Sequence, residues 1–209
     1  MTKAKPTSRE IEIKLPVSDL ADLLRRLHQI GAKHQGRVFE RNVLYDTPDA
    51  GLRRRGRLLR LRIDTPAHGR SRGLMTSKAP PPRSRGDRSR SRYKERLERE
   101  VRVGDPIRAD VHLRAGGFRP TWRYEKYRTT FRLPGLHLDL DETPVGVFLE
   151  LEGRPAAIDR VARALGYGPH DFIRGTYWDL YAADCRRQGR ELKNMAFPRK
   201  KLPRSAVFA

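Results

Sequence analysis

The segment Glu10-Ile-Glu12-Ile-Lys14-Leu15 narrows what this chain can fold into more than any other. Successive side chains of a strand point to opposite faces, so Glu10, Glu12 and Lys14 share one face while Ile11, Ile13 and Leu15 share the other. Two carboxylates and an ammonium in a row suit a divalent cation held beside an anionic group. They also suit the solvent side of an ordinary edge strand, and these six residues leave both readings open.

The same design recurs along the chain. A helix is predicted after Pro16-Val-Ser18, with Ser18 as its cap, Leu20, Leu23, Leu24, Leu27 and Ile30 at helical spacing, and Gly31 as its stop. Strands are predicted over 38–45, 57–63, 74–78 and 93–103, followed by a short helix over 105–115 with Pro106 in its first turn. A long strand over 119–133, the Pro134-Gly135 turn, and strands over 136–141 and 145–152 come next. Helices over 155–165 and 176–187 complete a tally of about eight strands and three or four helices, the strands mostly antiparallel.

In at least five strands one face is apolar and the other carries fixed charge: Glu10/Glu12/Lys14, Arg60/Arg62, Arg96/Glu98/Glu100, Lys126/Arg128 and Glu150/Glu152. If the charged faces look outward, the apolar faces pack together as a sandwich. If they look inward, the sheet closes around a polar tunnel and helices cover its greasy outside. The pattern permits both.

Charge bears on the choice of partner. The chain of 209 residues carries a formal net charge of +21, with 36 arginines against ten lysines. Such a charge favours polyanions: nucleotides, polyphosphate, nucleic acid or an anionic surface. The lone Cys185 excludes an internal disulfide and a thiolate metal cluster. No apolar signal core and no run of about 18 apolar residues is present, so a cytoplasmic location without a membrane span is expected. The stretch Pro80 to Arg92, with its RSRGDRSRSR run, is expected to be a mobile loop, and the basic tail 189–209 to be poorly ordered after a single domain over 1–188.

A triphosphate brings about four negative charges, so a confined site for it needs several Arg and Lys donors, and hard oxygen ligands for Mg2+ or Mn2+ must come from carboxylates. Glu10/Glu12 and Glu150/Glu152 each place same-face carboxylates about 7 Å apart along a strand. At this point the residues resemble a known family. EIEIK matches the Glu-x-Glu-x-Lys signature of the CYTH superfamily, the triphosphate tunnel metalloenzymes. YDTPDAGLRRRGRLLRLR, TSK, RLERE, EKYR and LDETPVGVFLELEG resemble its later strands in the right order.

The resemblance implies an α+β fold, an eight-stranded antiparallel β tunnel (a closed barrel) with helices packed on the outside. By position it makes Glu10, Glu12, Glu150 and Glu152 metal ligands with Asp141 beside them, and it adds Glu98 and Glu100 without saying which faces the metal. Lys14, Arg60, Arg62, Lys78, Lys126 and Arg128 would grip phosphate oxygens, with Arg96 a further contact; Glu10, Glu12, Lys14, Arg62 and Lys78 would carry catalysis. The implied substrates are ATP, tripolyphosphate or thiamine triphosphate. The implied reactions are a class IV adenylyl cyclase-type conversion of ATP to cyclic AMP and pyrophosphate, or triphosphate hydrolysis.

Several residues are read more plainly. Asp139 shares parity with Asp141 and is expected to be solvated, Arg53 to Arg55 to be a surface run, and Trp122, Tyr124 and Tyr127 to be packing residues. Tyr45 falls where the family often has paired aromatics, with Leu44 replacing one of them. The six histidines show no close ligand spacing and predict no zinc site. A non-catalytic binder of RNA or polyphosphate, using the basic loop and tail, is the reading from another class, and homodimer formation is left open.

Overall fold

The computed structural model describes residues 7–82 and 91–198, whose eight strands close into one barrel. In chain order they run β1 (Ser8–Val17), α1 (Leu20–Gln29), β2 (Lys33–Asp46), α2 (Gly51–Arg54), β3 (Leu58–Pro66), β4 (Arg72–Ala79), β5 (Lys94–Val103) and α3 (Pro106–Ala115). They continue with β6 (Arg119–Leu133), β7 (Leu136–Thr143), β8 (Gly146–Gly153), α4 (Pro155–Ala164), a single 3-10 turn and α5 (Tyr177–Arg187). Around the ring the order is β1-β5-β4-β3-β2-β6-β7-β8, with every neighbouring pair antiparallel. The seam between β1 and β8 sets Glu12 opposite Glu152 and Lys14 opposite Glu150.

Local chemistry explains the connections. Gly135 turns the β6–β7 hairpin at φ +72°, a backbone region that side chains disfavour. Asp105 caps α3 by accepting from the backbone N–H groups of Ile107 and Arg108 at 2.9 and 3.1 Å. The cap of α1 is Asp19 and not Ser18: the helix begins one residue later than expected, and the Asp19 carboxylate accepts from the Asp22 N–H at 2.9 Å. Five α-helices are present among the described residues, above the three or four expected. One of them, the four-residue α2, is pinned by the Asp46 carboxylate, which accepts from the N–H groups of Thr47, Leu52 and Arg53 at 2.7, 2.8 and 3.0 Å.

The charged faces look inward. The main apolar core therefore lies outside the ring, where Ile13, Leu15, Leu138, Leu140, Leu149 and Leu151 meet Leu23 and Leu27 of α1 and Ile158, Val161 and Ala162 of α4. Each fully buried aliphatic side chain there is worth on the order of 1.5–3 kcal/mol. On the opposite side α3 covers Tyr45 and Leu61 through Ala109. Tyr45 thus faces outward and hydrogen-bonds Asp110, while Leu44 lines the interior.

After α5 the chain returns to the barrel at Met195. β6 pairs with β2 from Arg119 to Arg132, but β7 joins it only from Tyr127 onward, so the first half of β6 has an unpaired edge. Met195 takes that edge: its N–H donates to Arg123 O at 3.0 Å, its carbonyl accepts from Glu125 N–H at 2.9 Å, and its side chain is fully buried. Residues 83–90 of the expected mobile loop and 199–209 of the tail lie outside the described residues. No helix among the described residues is long and apolar enough to cross a membrane.

Candidate active site

The barrel encloses a cavity of about 510 Å³ whose described lining includes nine acidic and eight basic side chains. Alternation along the strands brings in twelve of the fourteen expected site residues: Glu10, Glu12, Lys14, Arg60, Arg62, Lys78, Glu98, Glu100, Lys126, Arg128, Glu150 and Glu152. Asp141 is fully buried just behind the wall. Arg96 is not brought in; its guanidinium donates to the Gly56 carbonyl at 2.7 Å. Arg54 of the expected surface run pairs with Asp49 in an exposed contact.

One group of charges is rich in carboxylates. Lys78 Nζ lies 2.6 Å from both Glu10 and Glu98, and Lys94 Nζ lies 2.6 Å from Glu12. Burial raises the Glu10 carboxyl to about 7, with Glu12 and Glu98 adding to the rise and Lys78 opposing it. Burial and Glu150 would also raise Glu12, but Lys94, Lys14 and Lys78 outweigh them and bring it to about 2. Glu152, at the rim, stands across the seam from Glu12. Both Glu98 and Glu100 face the cavity; Glu98 belongs to this group, whereas Glu100 lies near Arg62 at 3.6 Å.

The other group is held by Asp141. Its two oxygens accept from Lys126 Nζ at 2.8 Å, Arg128 Nε at 2.7 Å, Arg128 Nη2 at 2.6 Å and the Tyr177 hydroxyl at 2.5 Å. With those donors already in place, Asp141 serves as an anchor for the cations. Arg128 also reaches Asp139 at 2.8 Å and pairs with Glu150, while Lys14 Nζ lies 2.7 Å from Glu150. Burial would raise Glu150, but Lys14, Arg128 and Lys126 hold it well below the usual carboxylate range.

Asp139, expected to be solvated, is buried, accepting from Thr130 Oγ1 at 2.7 Å and sitting 2.9 Å from His137 Nε2. Its strand parity with Asp141 already pointed inward. Trp122 and Tyr124 pack together as expected and also line the cavity, where the Tyr124 hydroxyl accepts from Arg60 at 3.3 Å. Tyr127 packs outside on Phe39 and Phe197.

Further lining residues were not anticipated. Glu40, Asp64 and Lys94 stand on inward positions of β2, β3 and β5, and parity could have found them. Tyr177 arrives from α5, where a capping box between Thr176 and Asp179 starts the helix, and its ring lies 4.7 and 4.8 Å from the ammonium groups of Lys14 and Lys126. Nothing local in the sequence signals that placement.

The donor chemistry fits a hard divalent ion. Among the described residues no three His, Cys, Asp or Glu side chains already converge as a ready ligand set. Burial, with Glu12 and Glu98 crowding in behind it, raises Glu10 to about 7 even though Lys78 opposes the rise. Added positive charge at those oxygens relieves that crowding.

The CYTH domain pattern matches residues 8–177. Among solved structures, the PH1012 protein of Pyrococcus horikoshii is similar at 25% identity and a TM-score of 0.66, over 82% of this chain and 98% of that one. A candidate adenylate cyclase of Vibrio parahaemolyticus is similar at 21% identity and 0.68, over 85% and 99%. A candidate adenylyl cyclase of Hippeastrum with a dominant triphosphatase activity is similar at 18% identity and 0.55, over 88% and 97%. No curated protein matches the chain.

Proposed function

The chain belongs to the CYTH domain family, and from that premise we propose that it is a divalent-metal-dependent enzyme acting on a triphosphate inside the barrel, with class IV adenylyl cyclase-type conversion of ATP to cyclic AMP and pyrophosphate as its reaction. The observation that carries this reading is the composition of the wall. Nine acidic and eight basic side chains leave the enclosure close to neutral. A bare triphosphate would add about four uncompensated negative charges to a confined space, so it must enter with its own cations.

The residues divide the work. Glu10, Glu12, Glu98 and Glu152 would hold Mg2+ or Mn2+, which supplies neutralisation of the charge that builds on the phosphate oxygens. Lys14, Arg60, Arg62, Lys78, Lys126 and Arg128 grip the chain of phosphates, and Asp141 and Asp139 fix the direction of Arg128. Catalysis is positioning plus charge stabilisation. Leu44, Leu58, Trp122 and Trp178 add an apolar and aromatic wall that inorganic triphosphate does not need and a nucleobase can use.

Hydrolysis of tripolyphosphate, thiamine triphosphate or a nucleoside triphosphate is the second reading, and a specific pair favours it. His137 is oriented by Asp139, and its buried Nδ1 has no partner within the chain, which suits the alignment of a water molecule. Purified protein with Mg2+ or Mn2+ and, separately, ATP, tripolyphosphate and thiamine triphosphate separates the two. Cyclic AMP and pyrophosphate from ATP are expected; orthophosphate without cyclic AMP would replace the cyclase with the hydrolase.

A further inference from the structure

We propose that Glu40 is a specificity-determining residue of this site, a fixed internal anion that makes the basic part of the tunnel accept polyphosphate arriving with divalent cations and reject the free anion. The inference rests on the reading of the tunnel as a triphosphate site. Glu40 lies on β2 with only 1% of its surface exposed. Its strand neighbours are Lys126 on β6 and Asp64 on β3.

The geometry around it is unusual for a buried carboxylate. Three cations surround it, Arg62 Nη1 at 3.5 Å, Lys126 Nζ at 3.6 Å and Arg128 Nε at 3.6 Å, all beyond hydrogen-bond distance. Its nearest donor is the Asn42 amide at 3.3 Å. Each cation has a closer partner elsewhere: Lys126 on Asp141 at 2.8 Å, Arg128 on Asp141 at 2.6 Å and Arg62 on Asp64 at 3.0 Å. Glu40 is therefore not what holds any of the three in place. It contributes a negative charge at the point where three positive charges meet.

That point is where an anion would be most attracted. Without Glu40, Arg62, Lys126 and Arg128 would be less fully balanced, by Asp64, Asp139, Asp141 and Glu150, and would hold phosphate or pyrophosphate more readily whether or not metal is present. With Glu40 among them, a free anion meets a like charge a few ångströms away in a poorly screened enclosure. An anion carrying divalent cations meets much less repulsion. The same charge also weakens the hold on a phosphate or pyrophosphate product that has lost its metal, so discrimination comes from the repulsive element as well as from the attractive ones.

Glu40→Gln keeps the size and an oxygen for Asn42 while removing the charge. Calorimetric titration of the full chain with pyrophosphate in EDTA should show the variant binding about tenfold or more tightly than the original, with a much smaller gain when Mg2+ is present. Asp49→Asn, which removes an exposed charge outside the cavity, should change metal-free binding by less than about twofold. Two outcomes overturn the proposal: no gain in Glu40→Gln at an unchanged melting temperature, or an equal gain in Asp49→Asn. Should Glu40→Gln fail to fold, the unmodified chain decides: its affinity for pyrophosphate must rise about tenfold or more on adding Mg2+, and a flat response overturns the proposal. A chain that turns over no triphosphate yet shows the Glu40→Gln gain would overturn the enzymatic reading and leave this assignment standing.

Discussion

The Lys14 ammonium lies 2.7 Å from the Glu150 carboxylate, directly across the seam that joins β1 to β8, and both groups face the interior. A buried pair of this kind contributes little net stability, because desolvation of both ions offsets their attraction, but breaking it strands a charge. Lys14→Met or Glu150→Gln alone should destabilise by about 3–5 kcal/mol, measured by urea unfolding. The combined Lys14→Met, Glu150→Gln variant should recover part of that loss while remaining inactive. Additive losses in the double variant would show that the two residues act separately.

Glu10 predicts how stability depends on pH. Its pKa is raised from 4.5 to about 7, so the folded chain keeps a proton that the unfolded chain releases between those values. Stability from this group is full below about 4.5 and is lost as pH rises through about 7, a change on the order of 3 kcal/mol. Glu12, brought down to about 2, acts at much lower pH and does not interfere. Unfolding free energies measured without divalent metal should fall from pH 5 to pH 8, and Glu10→Gln should reduce the slope, with the raised Asp64, Glu125, Asp141 and Glu152 carboxyls supplying the remainder.

Turnover depends on both kinds of charge. Glu12→Ala and Arg62→Ala should each lower kcat by about 100-fold or more with circular dichroism unchanged. A wild-type rate in either folded variant removes that residue from the site.

Met195 is fully buried against Trp122, Tyr124 and Tyr181. Met195→Ala should cost about 2–5 kcal/mol and lower the melting temperature, while leaving the tunnel charges in place. A change within error would mean that the segment along β6 is not part of the folded unit.

The tunnel does not account for the charge of the protein. Its lining is close to neutral while the whole chain carries +21, so the positive excess belongs to residues outside the cavity. Any RNA binding should therefore weaken steeply between 50 and 200 mM salt, as counterion release requires. It should persist in Glu12→Ala, as filter binding can show. Loss of RNA binding in that variant would move the contact into the tunnel.

Much of the fold was legible because strand parity is a strict code. The Arg119–Leu133 strand, the shared face of Glu10, Glu12 and Lys14 and that of Glu150 and Glu152, and the first-turn Pro106 of α3 follow from period and turn residues. The direction of the charged faces did not follow from period alone and needed the resemblance across six segments. Glu40 escaped notice because the other residues on its face of β2, Val38, Asn42 and Leu44, carry no charge and leave no charged pattern to read. Arg96 had the right parity, yet its long side chain leaves the interior for a loop carbonyl, and parity does not encode reach. Tyr177 depends on how a distant helix docks, which no local pattern states.

The seam between β1 and β8 has a kinetic consequence. It brings Glu12 against Glu152 across most of the chain's length, so the ring cannot shut while β8 is still unmade or unfolded. Closure of so long a loop is a slow search, and until it happens the two edges at the seam stay open to strands of other molecules. Dilution or a chaperone during refolding should therefore matter more to the yield of this protein than any single contact in the finished barrel.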